Sequence, residues 1–368
     1  MLNVGLVGVG KMGLSHLSIL NAHPEVKSVS ICESSGYVRS VLERYSGMTV
    51  TDSYEKLLEQ AGLDAVVIAT PSKLHARMVR EALNKGLHVF CEKPFCLDPR
   101  ESRDLAELAI EKKLVNQVGY HYRFVGTFNE AKRLLDARAL GDVHHIRVEA
   151  YGPVVLRAKG VTWRNRSDEG GGCLYDYACH ALDLVNYLVG PPQSVGGVAL
   201  NRVFSADVDD EVYATLNFGD GLTGQIAANW SDESFRRMST EVSLWGTNGR
   251  IVVDRQEIRS YVRNPTLSAV PVPAGWRTRN ITELTAPVNF YLRGEEYSSQ
   301  IDHFIDQIKR GAPDEVSSFA TAARTDEVVA MIRRAAEGFE VPEYGALAAA
   351  AGKRKAAGFW GRAMGLLS

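Results

Sequence analysis

One short stretch of the chain combines acidic side chains with a histidine at regular spacing. It contains Asp176, His180 and Asp183, which share one face at positions i, i+4 and i+7 if the stretch is an α-helix. A histidine between two carboxylates suits general acid–base catalysis because its ordinary pKa lies near neutrality. A buried structural network and a metal site are the alternatives. A metal needs three or four ligands, and no other cluster at fixed spacing completes the set, so no metal is predicted.

A second candidate group is the sequence Glu92-Lys93-Pro94. It directly follows Val89–Cys91, a short apolar run that predicts a strand. A Glu-Lys pair on a protein surface is ordinary, but the carboxyl end of a parallel strand is where a ligand crevice opens. An ammonium group at that edge can stabilise an alkoxide as negative charge develops on a substrate oxygen. Lys93 is therefore a candidate catalytic residue.

Three closely spaced glycines follow the first predicted strand, Val4–Val7. In a dinucleotide-binding turn the first glycine permits the tight bend, the second lets backbone amides approach the pyrophosphate, and the third lets helix and strand pack closely. The pyrophosphate then lies at a helix N-terminus, where free N–H groups favour negative charge. The position between a strand and a helix makes the motif specific. The predicted dinucleotide contacts are Gly8, Gly10, Lys11, Met12 and Gly13.

Two further features indicate which dinucleotide binds. Glu33 ends the second predicted strand, Val26–Cys32, where a carboxylate accepts hydrogen bonds from the ribose hydroxyls and repels a 2′-phosphate. A solvated acidic residue at a strand end is the alternative, and the next arginine, Arg39, comes six positions later. The sequence favours NAD(H) over NADP(H). Thr70 and Pro71, after the third predicted strand, are expected to contact the same cofactor.

The order of predicted elements defines a first domain over residues 1–123. Short apolar runs of strand character alternate there with segments whose apolar residues recur at helical spacing. Such alternation predicts a parallel sheet with helices on both faces. The fold class is therefore α/β, with a Rossmann domain whose carboxyl edge carries the candidate residues named above.

Residues 124–340 follow a different pattern and form a second predicted domain. A glycine-rich segment leads into a helix over Leu174–Val189, and strand-like stretches follow. Asp220-Gly221 between two of these stretches is a dipeptide favoured in hairpin turns, which predicts an antiparallel sheet. Two helices, at about Glu295–Lys309 and Phe319–Glu337, close an α+β domain.

Composition excludes several classes of protein. The chain has 368 residues, with 42 Lys and Arg against 44 Asp and Glu, a balance that argues against binding nucleic acid. Five cysteines without a Cys-x-x-Cys pair predict neither a zinc site nor a disulfide framework. No apolar run is long enough for a membrane span and no signal peptide is evident, so we expect a cytoplasmic protein. Residues 341–368 form an Ala/Gly-rich basic tail, either loosely packed or docked on a partner or membrane surface.

Taken together and in this order, the motifs resemble the Gfo/Idh/MocA family of oxidoreductases over about residues 1–340. The resemblance rests on Gly8–Gly13, Ala69-Thr70-Pro71 with His75, Glu92-Lys93-Pro94, and Gly170–Asp183. It implies a Rossmann domain followed by an open, mostly antiparallel sheet flanked by helices, NAD(H) as cofactor and a sugar-like substrate. Relatives often have glycine where this chain has Ala178, a methyl group that a helix tolerates.

The resemblance also implies roles for single residues. Lys93 would lie between nicotinamide and substrate, with the Lys93–Pro94 bond in the cis form. His180 would remove the hydroxyl proton, or return it in reduction, and Asp176 would bind substrate and orient the site. Asp183 would support its helix. The cofactor-binding residues that the resemblance adds are His75, Glu92 and Lys93.

Candidate substrate-facing residues are Tyr122, Arg123, Trp163 and Arg164, each of which resembles such a position in relatives. Neutral sugars are held by hydrogen bonds and aromatic stacking, whereas charged ones are held by arginines. Two arginines leave an acidic or nucleotide-linked sugar open as the substrate. A salt bridge that packs the domains together is the alternative for either arginine.

Three functions agree with these residues. The leading one is an NAD-dependent dehydrogenase of a sugar, inositol or nucleotide-sugar. The second is an NAD-assisted glycosidase that oxidises C3 transiently, and the third is a dinucleotide-binding protein without turnover. The resemblance also implies a homodimer or homotetramer, with Trp230 and Trp245 either at the interface or in the core of one subunit.

Overall fold

Two β-sheets organise the computed structural model, which describes residues 1–154, 163–292 and 294–338. The first sheet contains six parallel strands, joined in the order β3-β2-β1-β4-β5-β6. Its strands are β1 (Leu2–Val7), β2 (Val26–Cys32), β3 (Val50–Thr51), β4 (Ala65–Ile68), β5 (His88–Cys91) and β6 (Asn116–Val118). Continuous apolar runs such as Ala65–Ile68 form these strands because both faces of the sheet are covered. The predicted Rossmann fold is confirmed.

Five helices connect these strands and cover both faces of the first sheet. They are α1 (Lys11–Ala22), α2 (Gly36–Ser46), α3 (Tyr54–Leu58), α4 (His75–Asn84) and α5 (Pro99–Glu111). Local side chains fix several of their starts. Ser35 accepts a hydrogen bond from Val38 N at the start of α2, and Asp98 accepts one from Arg100 N at the start of α5.

The second sheet has eight strands, in the order β14-β13-β12-β11-β7-β10-β9-β8. They are β7 (Val143–Tyr151), β8 (Ser194–Asn201), β9 (Glu211–Asn217), β10 (Thr223–Asn229), β11 (Ser239–Gly246), β12 (Gly249–Val253), β13 (Glu257–Val262) and β14 (Gly275–Asn280). Only β7 and β10 pair in parallel, so the prediction of a mostly antiparallel sheet is confirmed. The predicted turn joins β9 to β10, with left-handed backbone at Asp220 (φ 61°) and Gly221 (φ 81°).

The remaining helices are α6 (Gly126–Asp136), α7 (Cys179–Val189), α8 (Ile281–Leu284), α9 (Glu295–Arg310) and α10 (Phe319–Glu337). Helix α7 packs on one face of the second sheet, where Ile146 and Val148 are fully buried. Arg147 and Glu149 lie on the opposite, half-buried face and form an ion pair. None of the helices in the described ranges has the length and apolarity needed to cross a bilayer. The predicted tail at 341–368 lies outside the described residues.

Helix α9 belongs in space to the first sheet, although it follows the second sheet in sequence. Its Ile301, Phe304 and Ile305 join Val4 and Leu6 of β1 in one apolar cluster. The helix therefore covers one face of the Rossmann layer. The division of the chain into domains at residues 1–123 and 124–340 remains a prediction. Helix α9 falls in the second of these ranges but packs on the first sheet.

The helix predicted over Leu174–Val189 is not regular. Residues Leu174–Ala178 form a π-helical turn that continues into α7. Its first residues are held by Asp209, whose backbone oxygen accepts from Cys173 N (2.8 Å) and whose carboxylate accepts from Leu174 N (2.6 Å). The π turn alters the angular spacing of the side chains, so the regular α-helix assumed for Asp176, His180 and Asp183 begins only at Cys179.

Asp183 forms a buried ion pair with Arg123. The guanidinium donates from Nε (2.8 Å) and Nη2 (2.7 Å) to the two carboxylate oxygens, and from Nη1 (2.8 Å) to the carbonyl oxygen of Val316. Arg123 is 4% exposed and Asp183 1%. The pair joins the turn after β6 to α7 and to the segment before α10, so it connects the two sheet layers.

We predict that Arg123→Met lowers the free energy of unfolding by about 3–5 kcal/mol, because it leaves the Asp183 carboxylate buried without its cation. Urea denaturation of the cofactor-free protein measures this change. The control is Arg310→Met, since Arg310 forms an exposed ion pair with Asp306 and its loss should leave the unfolding midpoint unchanged. Equal effects of the two substitutions would contradict the prediction.

Candidate active site

The glycine turn between β1 and α1 shows a different reason for each of its glycines. Gly8 has a left-handed backbone (φ 86°), and a Cβ there would lie 2.9 Å from the carbonyl oxygen of Ala69. A Cβ at Gly13 would lie 2.0 Å from the carbonyl oxygen of Gly8. A Cβ at Gly10 would meet no atom of the described residues within 4 Å. Gly8 and Gly13 therefore permit the turn, while Gly10 leaves open space at the start of α1, where Lys11 and Met12 follow.

Glu33 lies beside this turn, at the end of β2. Its Oε2 accepts a hydrogen bond from Val9 N (2.7 Å), and its Oε1 accepts one from Ser35 N (2.8 Å). The Arg39 guanidinium donates to the carbonyl oxygens of Glu33 (2.9 Å) and Ser34 (2.8 Å). The carboxylate is thus fixed next to the glycine turn, and the turn and Glu33 together fit a dinucleotide.

Thr70 also borders the glycine turn, since its Cγ2 lies 3.3 Å from where a Cβ of Gly8 would be, and Pro71 beside it is exposed. His75 lies next to Thr70 in the fold. Its ring is 1% exposed, with Nδ1 2.9 Å from the carbonyl oxygen of Pro94 and Nε2 3.0 Å from that of Thr70. His75 therefore links the loops after β4 and β5, and its assignment as a cofactor contact stays a prediction.

Lys93 follows β5 and reaches across to the π turn of the second layer. Its Nζ donates to the carboxylate Oδ1 of Asp176 (2.8 Å) and to the backbone oxygen of the same residue (2.9 Å). The other carboxylate oxygen accepts from Arg164 Nε (2.9 Å). The Lys93–Pro94 peptide bond is cis, as predicted. Lys93 and Asp176, distant in sequence, are therefore in direct contact at the junction of the two sheets.

The two charges of this contact stabilise each other. Burial alone would raise the pKa of Asp176, but the Lys93 and Arg164 cations outweigh it and hold the pKa at about 2. Burial alone would lower the pKa of Lys93, but the Asp176 carboxylate raises it above the ordinary lysine value. Lys93 is therefore an ammonium group at neutral pH. With two of its three N–H bonds on Asp176, one remains to donate to a ligand.

His180 lies near this ion pair within a shell of aromatic rings. It is 4% exposed, and its ring centroid lies 4.9 Å from that of His121 and 5.4 Å from that of Tyr122. Burial, and then the Lys93 charge, lowers the pKa of His180 well below its usual value, so the imidazole is neutral at pH 7. Its buried Nδ1 has no hydrogen-bond partner among the described residues. A neutral imidazole beside an ammonium group can accept a proton.

The other residues predicted to face the substrate separate into two groups. The Tyr122 ring borders His180, and its hydroxyl accepts from Thr240 Oγ1 (3.1 Å). Trp163 is half-buried, and the Arg164 guanidinium lies over its ring, 4.6 Å from the centroid. Arg123, in contrast, is held in the buried ion pair described above. Of its two predicted roles, a substrate contact or a salt bridge that packs the domains together, it has the second. No group of three metal-ligating side chains lies in the described ranges.

Sequence analysis missed three residues at this site. His16 of α1 is buried, and its Nε2 lies 2.7 Å from Glu92 Oε1. The other carboxylate oxygen of Glu92 accepts from Lys93 N (3.2 Å), so Glu92 supports the lysine loop rather than lying open in the groove. His121, which directly precedes the candidate residue Tyr122 in sequence, stacks on Tyr297 with 4.7 Å between centroids. No sequence signal pointed to Tyr297.

Comparisons with known proteins agree with this arrangement. Levoglucosan dehydrogenase from Pseudarthrobacter phenanthrenivorans is 28% identical over 68% of this chain and 73% of its own. The scyllo-inositol 2-dehydrogenase (NAD⁺) of Bacillus subtilis is 30% identical over 67% of this chain and 72% of its own. The 2,7-anhydro-N-acetylneuraminate hydratase of Escherichia coli is 26% identical over 72% and 70%. A solved structure of levoglucosan dehydrogenase with NADH and levoglucosan matches with a TM-score of 0.80 and 25% identity, over 91% of this chain and 97% of that one.

We predict that Gly10→Ala leaves the urea midpoint unchanged but weakens NADH binding at least about tenfold, since the added methyl group enters space needed by the pyrophosphate. Gly13→Ala should instead destabilise the fold by about 1–3 kcal/mol or more, because its Cβ meets a backbone carbonyl. Denaturation and titration of NADH fluorescence measure the two effects. Unchanged NADH affinity in Gly10→Ala would contradict this view of the turn.

Models of two protein domains match the chain in succession. An oxidoreductase domain described as an NAD-binding Rossmann fold matches residues 2–120, and the GFO/IDH/MocA C-terminal domain matches residues 128–252. Together they cover more than half of the chain and agree with the two sheets in their order. The chain therefore belongs to the Gfo/Idh/MocA family of NAD-dependent oxidoreductases.

Proposed function

We propose that the protein oxidises, or in reverse forms, a secondary hydroxyl group of an uncharged cyclic polyol such as an anhydrosugar, a sugar or an inositol. The observation that carries this proposal is the contact of Lys93 with Asp176 beside a neutral His180. It provides a hydrogen-bond donor with a fixed positive charge and a proton acceptor within one site. Both groups are needed to remove a hydroxyl proton while the carbon loses a hydride.

The residues divide the chemistry between them. In the oxidation, the O–H proton passes to the neutral ring of His180, and the free N–H of Lys93 donates to the oxygen as its negative charge develops. NAD⁺, when bound, accepts the hydride from the carbon, which becomes a carbonyl. Asp176 keeps Lys93 charged and holds its ammonium in place. Reduction follows the same path in reverse, with the His180 imidazolium returning the proton.

The placement of the arginines favours an uncharged substrate. Arg123 is bound by Asp183 and by a backbone carbonyl. Of the two arginines that could have bound an acidic sugar, only Arg164 therefore remains. Arg164 in turn already donates to Asp176 and lies over Trp163. The half-buried Trp163 ring offers an aromatic surface that suits the apolar face of a sugar ring. Levoglucosan and scyllo-inositol, which name the substrates of two relatives, are uncharged.

A panel of levoglucosan, hexoses, inositols, uronic acids and nucleotide-sugars with NAD⁺ tests the proposal. We expect NADH absorbance at 340 nm to rise with one or more uncharged compounds, and not with uronic acids. His180→Ala and Lys93→Met should each lower kcat at least about 100-fold, because general acid–base and charge stabilisation each contribute that much.

The control is His144→Ala, because His144 is an exposed histidine outside the site and its loss should leave kcat unchanged. Product formation without net NADH would overturn the dehydrogenase in favour of an NAD-assisted elimination or hydration. One relative is named a 2,7-anhydro-N-acetylneuraminate hydratase. Full turnover in His180→Ala would remove His180 from the mechanism.

We also propose that the open face of the second sheet pairs with a second copy of the chain, as a homodimer or as part of a homotetramer. Trp245 lies half-buried on this face, 5.3 Å from the ring of His145 and with the Arg250 guanidinium 4.8 Å from its centroid. Trp230 is instead a core residue of the subunit, fully buried with its Nε1 donating to Asp210 (2.8 Å).

Light scattering should give a mass two or four times 40.4 kDa, and Trp245→Glu should reduce it to the monomer. A monomeric mass for the unmodified protein would overturn the pairing. A reducing, cytoplasmic compartment remains part of the proposal, since Cys32, Cys91, Cys96, Cys173 and Cys179 are all free, buried thiols.

A further inference from the structure

Two adjacent buried residues of α10, Thr325 and Asp326, bind different parts of the active site. Along the chain they lie far from the sequence motifs on which the family resemblance rests. Their helix packs against α5 in the first layer and α7 in the second. Thr325 is fully buried and Asp326 is 4% exposed. Because both residues are buried, they can act on the reaction only through the segments that carry Lys93 and His180.

Asp326 holds the loop that carries Lys93. Its Oδ2 accepts a hydrogen bond from Cys96 N (2.9 Å), three residues after the lysine, and another from Ser102 Oγ (2.6 Å). Phe319, at the start of the same helix, stacks on Phe95 with 4.2 Å between ring centroids. The backbone that follows the cis Lys93–Pro94 bond is thus fixed to α10 by both a carboxylate and a ring.

A carboxylate at this position is energetically costly. Burial raises the pKa of Asp326 to about 7, although Ser102 and the backbone N–H groups of Cys96 and Phe95 oppose the shift. No lysine or arginine in the described part of the chain forms an ion pair with it. The backbone N–H of Cys96 can only donate, so the loop that follows Lys93 requires an oxygen acceptor at this position.

Thr325 holds the helix that carries His180. Its hydroxyl donates to Asp183 Oδ1 (3.2 Å), three residues after the histidine, and accepts from Asn186 Nδ2 (3.0 Å). Asp183 is also the partner of Arg123, whose turn brings His121 and Tyr122 against the His180 ring. The hydroxyl therefore fixes α7 one turn beyond the proposed base.

We propose that Thr325 and Asp326 are positioning residues that set the distance between the Lys93 ammonium and the His180 imidazole. Proton transfer and charge stabilisation act on the same substrate oxygen, and a shift of about 1 Å between such groups can reduce a rate about 100-fold. The inference rests on the proposed function, because it assigns the two residues to the reaction of Lys93 and His180.

The first test measures steady-state kinetics of Asp326→Asn and Thr325→Val, both close in shape to the native side chain. Asparagine keeps only one of the two acceptor oxygens that serve Cys96, Ser102 and Phe95 and places an N–H group in the position of the other. Valine has no hydroxyl. We expect kcat to fall at least about tenfold in Asp326→Asn and about threefold in Thr325→Val, with KM for NAD⁺ and NADH affinity changed less than about twofold.

Two matched controls separate positioning from stability. Ser102→Ala removes one bond to Asp326 and leaves the Cys96 N–H bond in place, so kcat should remain within about twofold. Val329→Ala opens a cavity in the buried face of α10 and should lower the unfolding midpoint without lowering kcat below the melting range. Loss of kcat in Val329→Ala in proportion to stability would overturn the proposal.

The decisive test is a double-mutant cycle. If Asp326 acts through Lys93, Asp326→Asn should lower kcat by less than about twofold in the Lys93→Met background, whereas an independent effect would retain the full tenfold loss. Thr325→Val in the His180→Ala background forms the second cycle. Independent losses in both cycles would overturn the inference. Absence of any NAD-coupled turnover by the unmodified protein would instead overturn the proposed function.

Discussion

The candidate active site depends on the buried ion pair between Lys93 and Asp176, which joins the two sheets. Each partner alone would be unfavourable there, because a charge removed from water must find its opposite. The lysine comes from the carboxyl edge of the parallel sheet and the aspartate from the π turn that leads into α7. Neither half of the protein contains a complete site. The contact also fixes the charge state of its neighbour, since the ammonium group helps to keep the His180 ring neutral.

The parts of the site that sequence could predict are those dictated by local chemistry at the end of a strand. The turn with Gly8 and Gly13 needs residues without a Cβ, and the structure gives the clashing atoms for both. Glu33 and Lys93 end their strands at the same edge of a parallel sheet, which the alternation of strands and helices already indicated. The turn at Asp220-Gly221 requires left-handed backbone, and the Asp-Gly dipeptide in the sequence predicts such a turn.

The parts that sequence could not predict depend on partners far along the chain. Whether Arg123 faces a substrate or a carboxylate is decided by α7, sixty residues later. His75 belongs to a motif, yet its ring binds two carbonyl groups that only the folded loops bring together. The π turn was not predicted either, and its first N–H groups are held by Asp209, a residue from a distant segment. An assumed helical periodicity cannot include such a contact.

The packing of α9 has a consequence for how the chain becomes folded. β1 is synthesised long before α9, and the apolar face that it shares with Phe304 is completely covered only when α9 has been synthesised. Contacts between residues so distant in sequence close large loops and slow folding. The Rossmann layer therefore needs α9 to complete its core. A nascent or truncated chain that ends after β6 would expose an apolar surface, which favours chaperone binding or aggregation.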